Sequence, residues 1–406
     1  MSCALFSGSK RHVCYYYSHD VANFHYGPNH PMKPHRLALT HSLILNYGLL
    51  PKMDVYKPRM ATDEDFLQFH TKDYLDYLKK VTPEVNSDQF AEFSIHGDCP
   101  PFKSVYEFCQ LYTGGSIEGA WRLNQRQNDV SINWSGGLHH ARKSEGSGFC
   151  YVNDIVLGII ELLRYHPRVL YVDIDIHHGD GVQDAFYHTD RVMTVSFHKY
   201  AQGFFPGTGS LQEVGHKSGK YYSVNVPLRD GIDDKSYLGI FKPVISDVME
   251  IYAPSAVVIQ CGADSLRGDR IGNFNLSLAG HAECLRYVAS YNLPMLVVGG
   301  GGYTIRNVAR CWANETGVLL DVELPFELPE NDYYAHYAPD YKLQTTGIES
   351  ENLNTRNYLD NVLTSVRKNL RMIQCAPSVQ MQVIPPSIYD FMSEGDEEQE
   401  SEMGSR

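Results

Sequence analysis

Nine cysteines occur in this 406-residue chain, yet no two are spaced as CxxC. In a chain of this size they read as reduced thiols of the cytosol or nucleus. No apolar stretch is long enough to span a bilayer, and the N-terminus lacks a signal peptide's hydrophobic core. No membrane association is therefore expected. Basic residues are outnumbered, 35 Lys and Arg against 48 Asp and Glu, for a formal net charge of −13. That balance argues against nucleic-acid binding through phosphate neutralisation and suits a basic substrate or partner. The interior has no Pro/Ser-rich or charge-rich linker and no internal repeat. The length would suit two domains, but without a linker the chain reads as one large domain. Its 43% hydrophobic content is ample for a large core.

From about Asp129 onward, apolar runs alternate with helical patterns. Strands are predicted at Val130 to Trp134, Val169 to Ile176, Val192 to Phe197, Ala256 to Gln260 and Met295 to Val298. Helices are predicted at Ile155 to Tyr165 with Asp154 as cap, near Val182 to Tyr187, from Ser236 to Tyr252 with a bend near Pro243, and around His281 to Tyr291. The region Pro325 to Pro377 is harder to read and ends in a plausible helix near Tyr358 to Met372. Such alternation predicts an α/β fold: a mostly parallel central sheet with helices on both faces. Ligands in such sheets bind outside the carboxyl ends of the strands. Four of those ends carry polar residues: His139-His140, Asp175-Ile-His177, Cys261-Gly-Ala-Asp264, and Gly299-Gly-Gly-Gly-Tyr303.

Asp173-Ile-Asp175-Ile-His177-His178-Gly-Asp180 follows the second of these strands. Alternation places Asp173, Asp175 and His177 on one face. Two carboxylates and an imidazole there are costly unless paired, and a divalent metal is an effective partner. Taken alone, the triplet also fits a polar strand end satisfied by water and loop amides. Asp175, His177 and Asp264 form an Asp2His set with open coordination positions, as catalytic zinc requires, although Fe(II), Co or Mn would be accepted too. A metal there would lower the pKa of a bound water and polarise a carbonyl. His139 or His140 suits the acid/base role, with Asp173 paired to His139 and Asp180 to His140. The phenol of Tyr303, after four glycines, suits donation to a developing oxyanion.

Together these residues resemble the class I zinc-dependent histone deacetylases, on the arginase/deacetylase fold. The motifs are His30-Pro-Met-Lys-Pro-His-Arg36, Asn133 to His140, Gly148-Phe-Cys-Tyr-Val-Asn-Asp154, Asp173 to Gly181, Phe205-Pro-Gly-Thr-Gly209, Gln260 to Asp264 and Gly299 to Tyr303. The match looks closest to the nuclear corepressor-complex members. It runs from His12 to Gln382, which implies a catalytic domain over 12–382. A flexible N-terminus (1–11) precedes it, and an acidic tail (383–406), predicted to be disordered, follows. The resemblance implies hydrolysis of N6-acetyl-lysine on histone tails, with one catalytic Zn2+, in transcriptional repression. It implies a place in the nucleus, with the cytoplasm as a second location, beside a corepressor scaffold. His140 would move the proton, and His139 would tune the site. Phe149 and Phe205, with Gly148 and Ile271, would wall a narrow tube around the lysine stem, and Asp98 would grip substrate at the rim. Met32, Arg36, Leu138 and Cys150 would line an inner cavity for acetate.

Two structural potassium ions are implied as well. One would be held at Asp173, Asp175, His177, Ser196 and Phe197, the other near Phe186, Thr189, Val192 and Tyr222. An inositol phosphate is implied at His25, Lys33, Arg270 and Arg306, near Tyr26. The sequence departs from the class I pattern at Ile271 (usually Leu), Asn29 (usually Gly), Asn273 (commonly Cys) and Ala313-Asn314 (usually Thr-Tyr). None of these removes a catalytic part. Competing readings are a two-metal ureohydrolase on the same fold, a deacetylase of small acetylated amines, and a scaffold subunit with a silent site. Apolar Ile271 argues against a cationic amine substrate.

Overall fold

A computed structural model describes residues 11–83, 93–95, 97–344 and 350–373. Its centre is one eight-stranded sheet: β1 (Val13–Tyr16), β2 (Asp54–Tyr56), β3 (Val130–Asn133), β4 (Val169–Asp173), β5 (Val192–Lys199), β6 (Ser223–Leu228), β7 (Ala256–Gln260) and β8 (Met295–Val298). The spatial order is β2-β1-β3-β8-β7-β4-β5-β6, and every neighbouring pair is parallel. The sheet is thus wholly rather than mostly parallel. Three strands (β1, β2 and β6) were not predicted. The first two lie before the region of clear alternation, and β6 has a proline at Pro227.

Among the described residues, ten α-helices surround the sheet: α1 (Arg36–Asn46), α2 (Asp63–Phe66), α3 (Lys72–Leu78), α4 (Val105–Asn124), α5 (Asp154–Leu162), α6 (Asp180–Phe186), α7 (Asp234–Tyr252), α8 (Leu278–Ala289), α9 (Ile305–Leu319) and α10 (Arg356–Leu370). Pro243 sits inside α7. Parallel strands buried on both faces read as continuous apolar runs, and their two faces feed two cores. Val169, Tyr171, Ala256, Val258, Leu296 and Val298 join Ala120 and Leu123 of α4, Ile155 and Ile159 of α5 and Val182 of α6. Leu170, Val172, Val257, Ile259, Met295 and Val297 face the other way, toward Ile245 of α7, Leu285 of α8 and Val308 of α9. Each such fully buried aliphatic side chain stabilises the fold by about 1.5–3 kcal/mol.

Two local expectations are corrected. β4 ends at Asp173, not Ile176, so Asp175 and His177 lie in the turn beyond the strand. Their convergence comes from that turn and not from strand alternation. The cap of α5 is Asn153, whose side chain accepts from Val156 N–H. Asp154 is occupied elsewhere, as described below. Residues 374–382, the acidic tail and positions 1–10 lie outside the described residues.

Candidate active site

The four strand ends that carry polar residues belong to β3, β8, β7 and β4, which are consecutive in the sheet. Adjacency at about 4.8 Å per strand gathers residues from positions 139 to 303 into one rim.

Asp175, His177 and Asp264 are buried, with ligand atoms within 4.8 Å of one another. His177 Nδ1 lies 3.1 Å from Asp175 Oδ1 and 3.1 Å from Asp264 Oδ2. Ligand atoms about 2.0–2.1 Å from a tetrahedral cation stand a little over 3 Å apart, so the spacing fits a shared ion. Other donors bind the carboxylates from outside. Asp175 Oδ2 accepts from Gln260 Nε2 and Gly301 N–H, both at 2.9 Å, and its Oδ1 from His177 N–H. Asp264 Oδ1 accepts from Ile176 N–H at 3.0 Å. Burial and the adjacent Asp175 charge lift the Asp264 carboxyl above the usual range. Burial opposes a charge on His177, yet Asp175 and Asp264 raise its pKa. The set holds more negative charge than one imidazole neutralises, which a divalent cation would correct. A side chain at Gly301 would put its Cβ 2.0 Å from Asp264 Oδ2, so glycine is required there.

Beside this cluster stand two histidine–aspartate pairs. His139 Nδ1 donates to Asp173 Oδ2 at 2.8 Å, and His140 Nδ1 to Asp180 Oδ1 at 2.7 Å. Their ring centroids are 3.9 Å apart. Burial opposes charge on His139, but Asp173 and Asp175 push its pKa up to about 9. Burial and the charge of His139 push His140 down to about 4. His140 is therefore neutral near pH 7, with Nδ1–H committed to Asp180 and the Nε2 lone pair free to take a proton. Asp180 is held down at about 2, because His140 and Arg142 outweigh its burial. Arg142 donates to Asp180 Oδ2 at 2.9 Å. Asp173 also accepts from the Tyr171 hydroxyl at 2.7 Å.

Tyr303 is buried, and burial raises its phenol pKa well above the usual value, with Asp264 and Asp175 adding to the effect. The phenol stays protonated and can donate. Its ring meets Phe149 edge-on at 5.7 Å. Phe149 has φ +69°, a strained conformation for a bulky residue, and its carbonyl accepts from the Tyr26 hydroxyl at 2.9 Å. Phe205 is exposed and meets His140 edge-on at 4.8 Å. Asp98, Gly148 and Phe205 line one open cavity of about 500 Å³. Ile271 is half-buried in the neighbouring turn. On the inner side, Met32, Leu138 and Cys150 are buried. The buried Arg36 guanidinium donates to Gly302 O at 2.7 Å and Gly300 O at 2.5 Å, while its Nε has no partner among the described residues.

The remaining expected positions are more dispersed. Asp173 and Ser196 are register partners on β4 and β5, and Phe197 follows in β5. Phe186 ends α6, Val192 begins β5, and Thr189 lies between them, its N–H donating to Phe186 O. The Tyr222 carbonyl accepts from Thr194 N–H. His25, Arg270 and Arg306 are exposed. The Lys33 ammonium already donates to Gly27 O and Pro28 O, at 3.0 and 2.9 Å.

Three residues matter here to which residue order gave no place in the site: Asp154, read only as a helix cap, Gln260 and Asp269. The fully buried Asp154 carboxylate accepts from Gly137 N–H, Leu138 N–H and the Ser116 hydroxyl, and so fixes the turn entering His139 and His140. Gln260 grips Asp175. Asp269 binds four backbone N–H groups around Tyr303 and Ile271. Each is a carboxylate or amide inside or beside a motif, but residue order does not reveal its partner.

Residues 30–319 match the histone deacetylase domain family. The chain is 60% identical over 405 residues to histone deacetylase B of Dictyostelium discoideum, covering 98% of this chain and 96% of that one. It is 59% identical over 381 residues to human histone deacetylase 1, covering 93% and 79%. It is 57% identical over 384 residues to histone deacetylase 9 of Arabidopsis thaliana, covering 94% and 90%.

Proposed function

Because this chain belongs to the histone deacetylase family, we propose that it hydrolyses N6-acetyl-lysine on histone tails to lysine and acetate. The observation that carries this reading is the convergence of Asp175, His177 and Asp264 with two His–Asp pairs and Tyr303 at four adjacent strand ends. Asp175, His177 and Asp264 would hold Zn2+, which when bound acidifies a water and polarises the amide carbonyl. His140 Nε2 takes a proton from the attacking water as the new C–O bond forms. It returns that proton to the lysine nitrogen as the C–N bond breaks, so acetate and a free amine leave. Asp180, braced by Arg142, holds His140 in the tautomer that does this. His139 supplies positive charge beside the developing oxyanion, and the Tyr303 phenol donates to it.

Phe149, Phe205, Gly148 and Ile271 sheathe the apolar lysine stem, and Asp98 meets the peptide at the mouth. Acetate passes toward Met32, Arg36, Leu138 and Cys150, where the Arg36 Nε, without a partner among the described residues, suits an anion. Two potassium ions at the positions named above would brace β4 and β5. An inositol phosphate would bridge His25, Lys33, Arg270 and Arg306 to a corepressor scaffold, in the nucleus, for transcriptional repression. The catalytic domain would span 12–382, with a tail over 383–406.

An acetyl-lysine peptide assay on the purified chain tests this, run with and without scaffold and inositol phosphate. Tyr303→Phe should lower turnover by about 10²–10³-fold at unchanged zinc content. Near-full activity of that variant would remove the phenol from the mechanism.

A further inference from the structure

A second polar cluster lies behind the loop that carries Asp264. His281 on α8 and Cys311 and Glu315 on α9 are fully buried, with donor atoms within 4.8 Å of one another. His281 Nδ1 lies 2.6 Å from Glu315 Oε1, and Nε2 lies 3.0 Å from the Gly262 carbonyl. A carbonyl oxygen only accepts, so Nε2 carries a proton. The position of the second proton along the short bond to Glu315 does not change that. Both ring nitrogens are thus spent on oxygen acceptors, which argues against a second metal site despite the suggestive trio of side chains.

Gly262 stands two residues before Asp264, and its peptide is boxed in. The ring holds its carbonyl, together with the Ser265 hydroxyl at 3.1 Å. Its N–H donates to Gln260 Oε1 at 2.7 Å. A Cβ there would lie 2.1 Å from Asp175 Oδ2. The neighbouring Cys261 carbonyl accepts from Trp312 Nε1 at 2.8 Å, and Ala263 N–H donates to Gly301 O at 2.9 Å. The Gly262 carbonyl thus has two donors, and of these the His281 ring is a titratable side chain oriented by a carboxylate. The arrangement matches how outer partners orient metal ligands, but acts on the ligand's peptide instead of its side chain.

We infer that His281, oriented by Glu315, is a positioning residue for the cation site. Its Nε2–H fixes the Gly262 peptide and, through it, the carboxylate of Asp264. This rests on the reading of Asp175, His177 and Asp264 as metal ligands. Replacing a buried ionic pair by apolar residues often leaves a fold intact, so folding and metal retention can be separated.

The test uses the full chain and three variants: His281→Leu with Glu315→Leu, His281→Gln with Glu315→Gln, and His281→Leu with Glu315→Gln. The readouts are thermal unfolding, zinc per chain, and the rate of zinc transfer to a chromophoric chelator. The leucine pair should fold and release zinc about 10–100-fold faster than wild type. The glutamine pair, whose amide can still donate to Gly262, should recover most of the slow release. A folded leucine pair that releases zinc at the wild-type rate overturns the positioning role. If the leucine pair does not fold, His281→Leu with Glu315→Gln decides, because it removes the Nε2–H donor without leaving a buried charge: several-fold faster release supports the role, and an unchanged rate overturns it. A wild-type chain that binds no zinc overturns the metal reading itself, an outcome visible before any variant is compared.

Discussion

Asp269 Oδ2 accepts the backbone N–H of Tyr303 at 2.7 Å. The same oxygen accepts from Thr304 N–H at 3.2 Å, and Oδ1 accepts from Ile271 and Gly272 N–H at 2.9 and 3.1 Å. One half-buried carboxylate therefore sets both the proposed oxyanion donor, Tyr303, and the proposed tube residue, Ile271. In Asp269→Asn an NH2 group would face two backbone donors. Turnover should fall by about 10–100-fold, since a displacement near 1 Å costs that order of rate. Zinc content should match wild type. A variant with full turnover would show that Tyr303 is held by other contacts.

Asp264 supplies one of three proposed ligands, so Asp264→Asn should weaken zinc retention beyond the roughly 10–100-fold cost of losing an outer partner. Elemental analysis after dialysis measures this. Chelation of the wild type should abolish deacetylation, and added zinc should restore it. Activity that survives complete zinc removal would refute the metal assignment.

His70 is buried, with Nδ1 3.2 Å from the Lys143 carbonyl and Nε2 accepting Asn153 N–H at 3.1 Å. Its neutral form fits both bonds, and protonating Nε2 would break the second. Burial holds its pKa down to about 4, from an ordinary 6.5. The unfolded chain therefore takes the proton first as pH falls. The stability this group contributes is complete above pH 6.5 and is lost toward pH 4, at most about 3 kcal/mol. His70→Gln should show a flatter acid limb in denaturant unfolding between those values. An acid slope equal to wild type would mean that His70 does not titrate there.

Arg270 and Arg306 stand exposed on the two segments that Asp269 ties together. If they hold a polyanion, Arg270→Glu and Arg306→Glu should each weaken binding of inositol hexaphosphate in calorimetry. Binding in the wild type should fall steeply with added salt, because the contacts are between charges. Equal affinity in wild type and both variants would exclude these arginines from the site.

Much of this architecture was legible in residue order. Val169–Asp173, Ala256–Gln260 and Met295–Val298 are apolar runs of strand length, and each leads directly to a chemically loaded turn. The pairing of strands with helices between them made a parallel sheet the economical solution. Local competition was harder to judge. Asn153 and Asp154 are both good caps, and the choice fell to Asn153 because Ser116, Gly137 and Leu138 claim Asp154 from other parts of the chain. The short edge strand Asp54–Tyr56 carries too little apolar pattern to stand out.

Residue order alone dictated which side chains could do chemistry, because motif spacing and strand length are local and survive in one dimension. It said nothing about neighbours. That β3, β8, β7 and β4 lie side by side was decided by folding. So was the choice of Asp269, Gln260 and Asp154 as the groups that hold Tyr303, Asp175 and the turn into His139 and His140 in place. A buried carboxylate or amide finds partners by proximity in space, and proximity between positions 137 and 154, or 269 and 303, exists only once the sheet has closed its two cores around them.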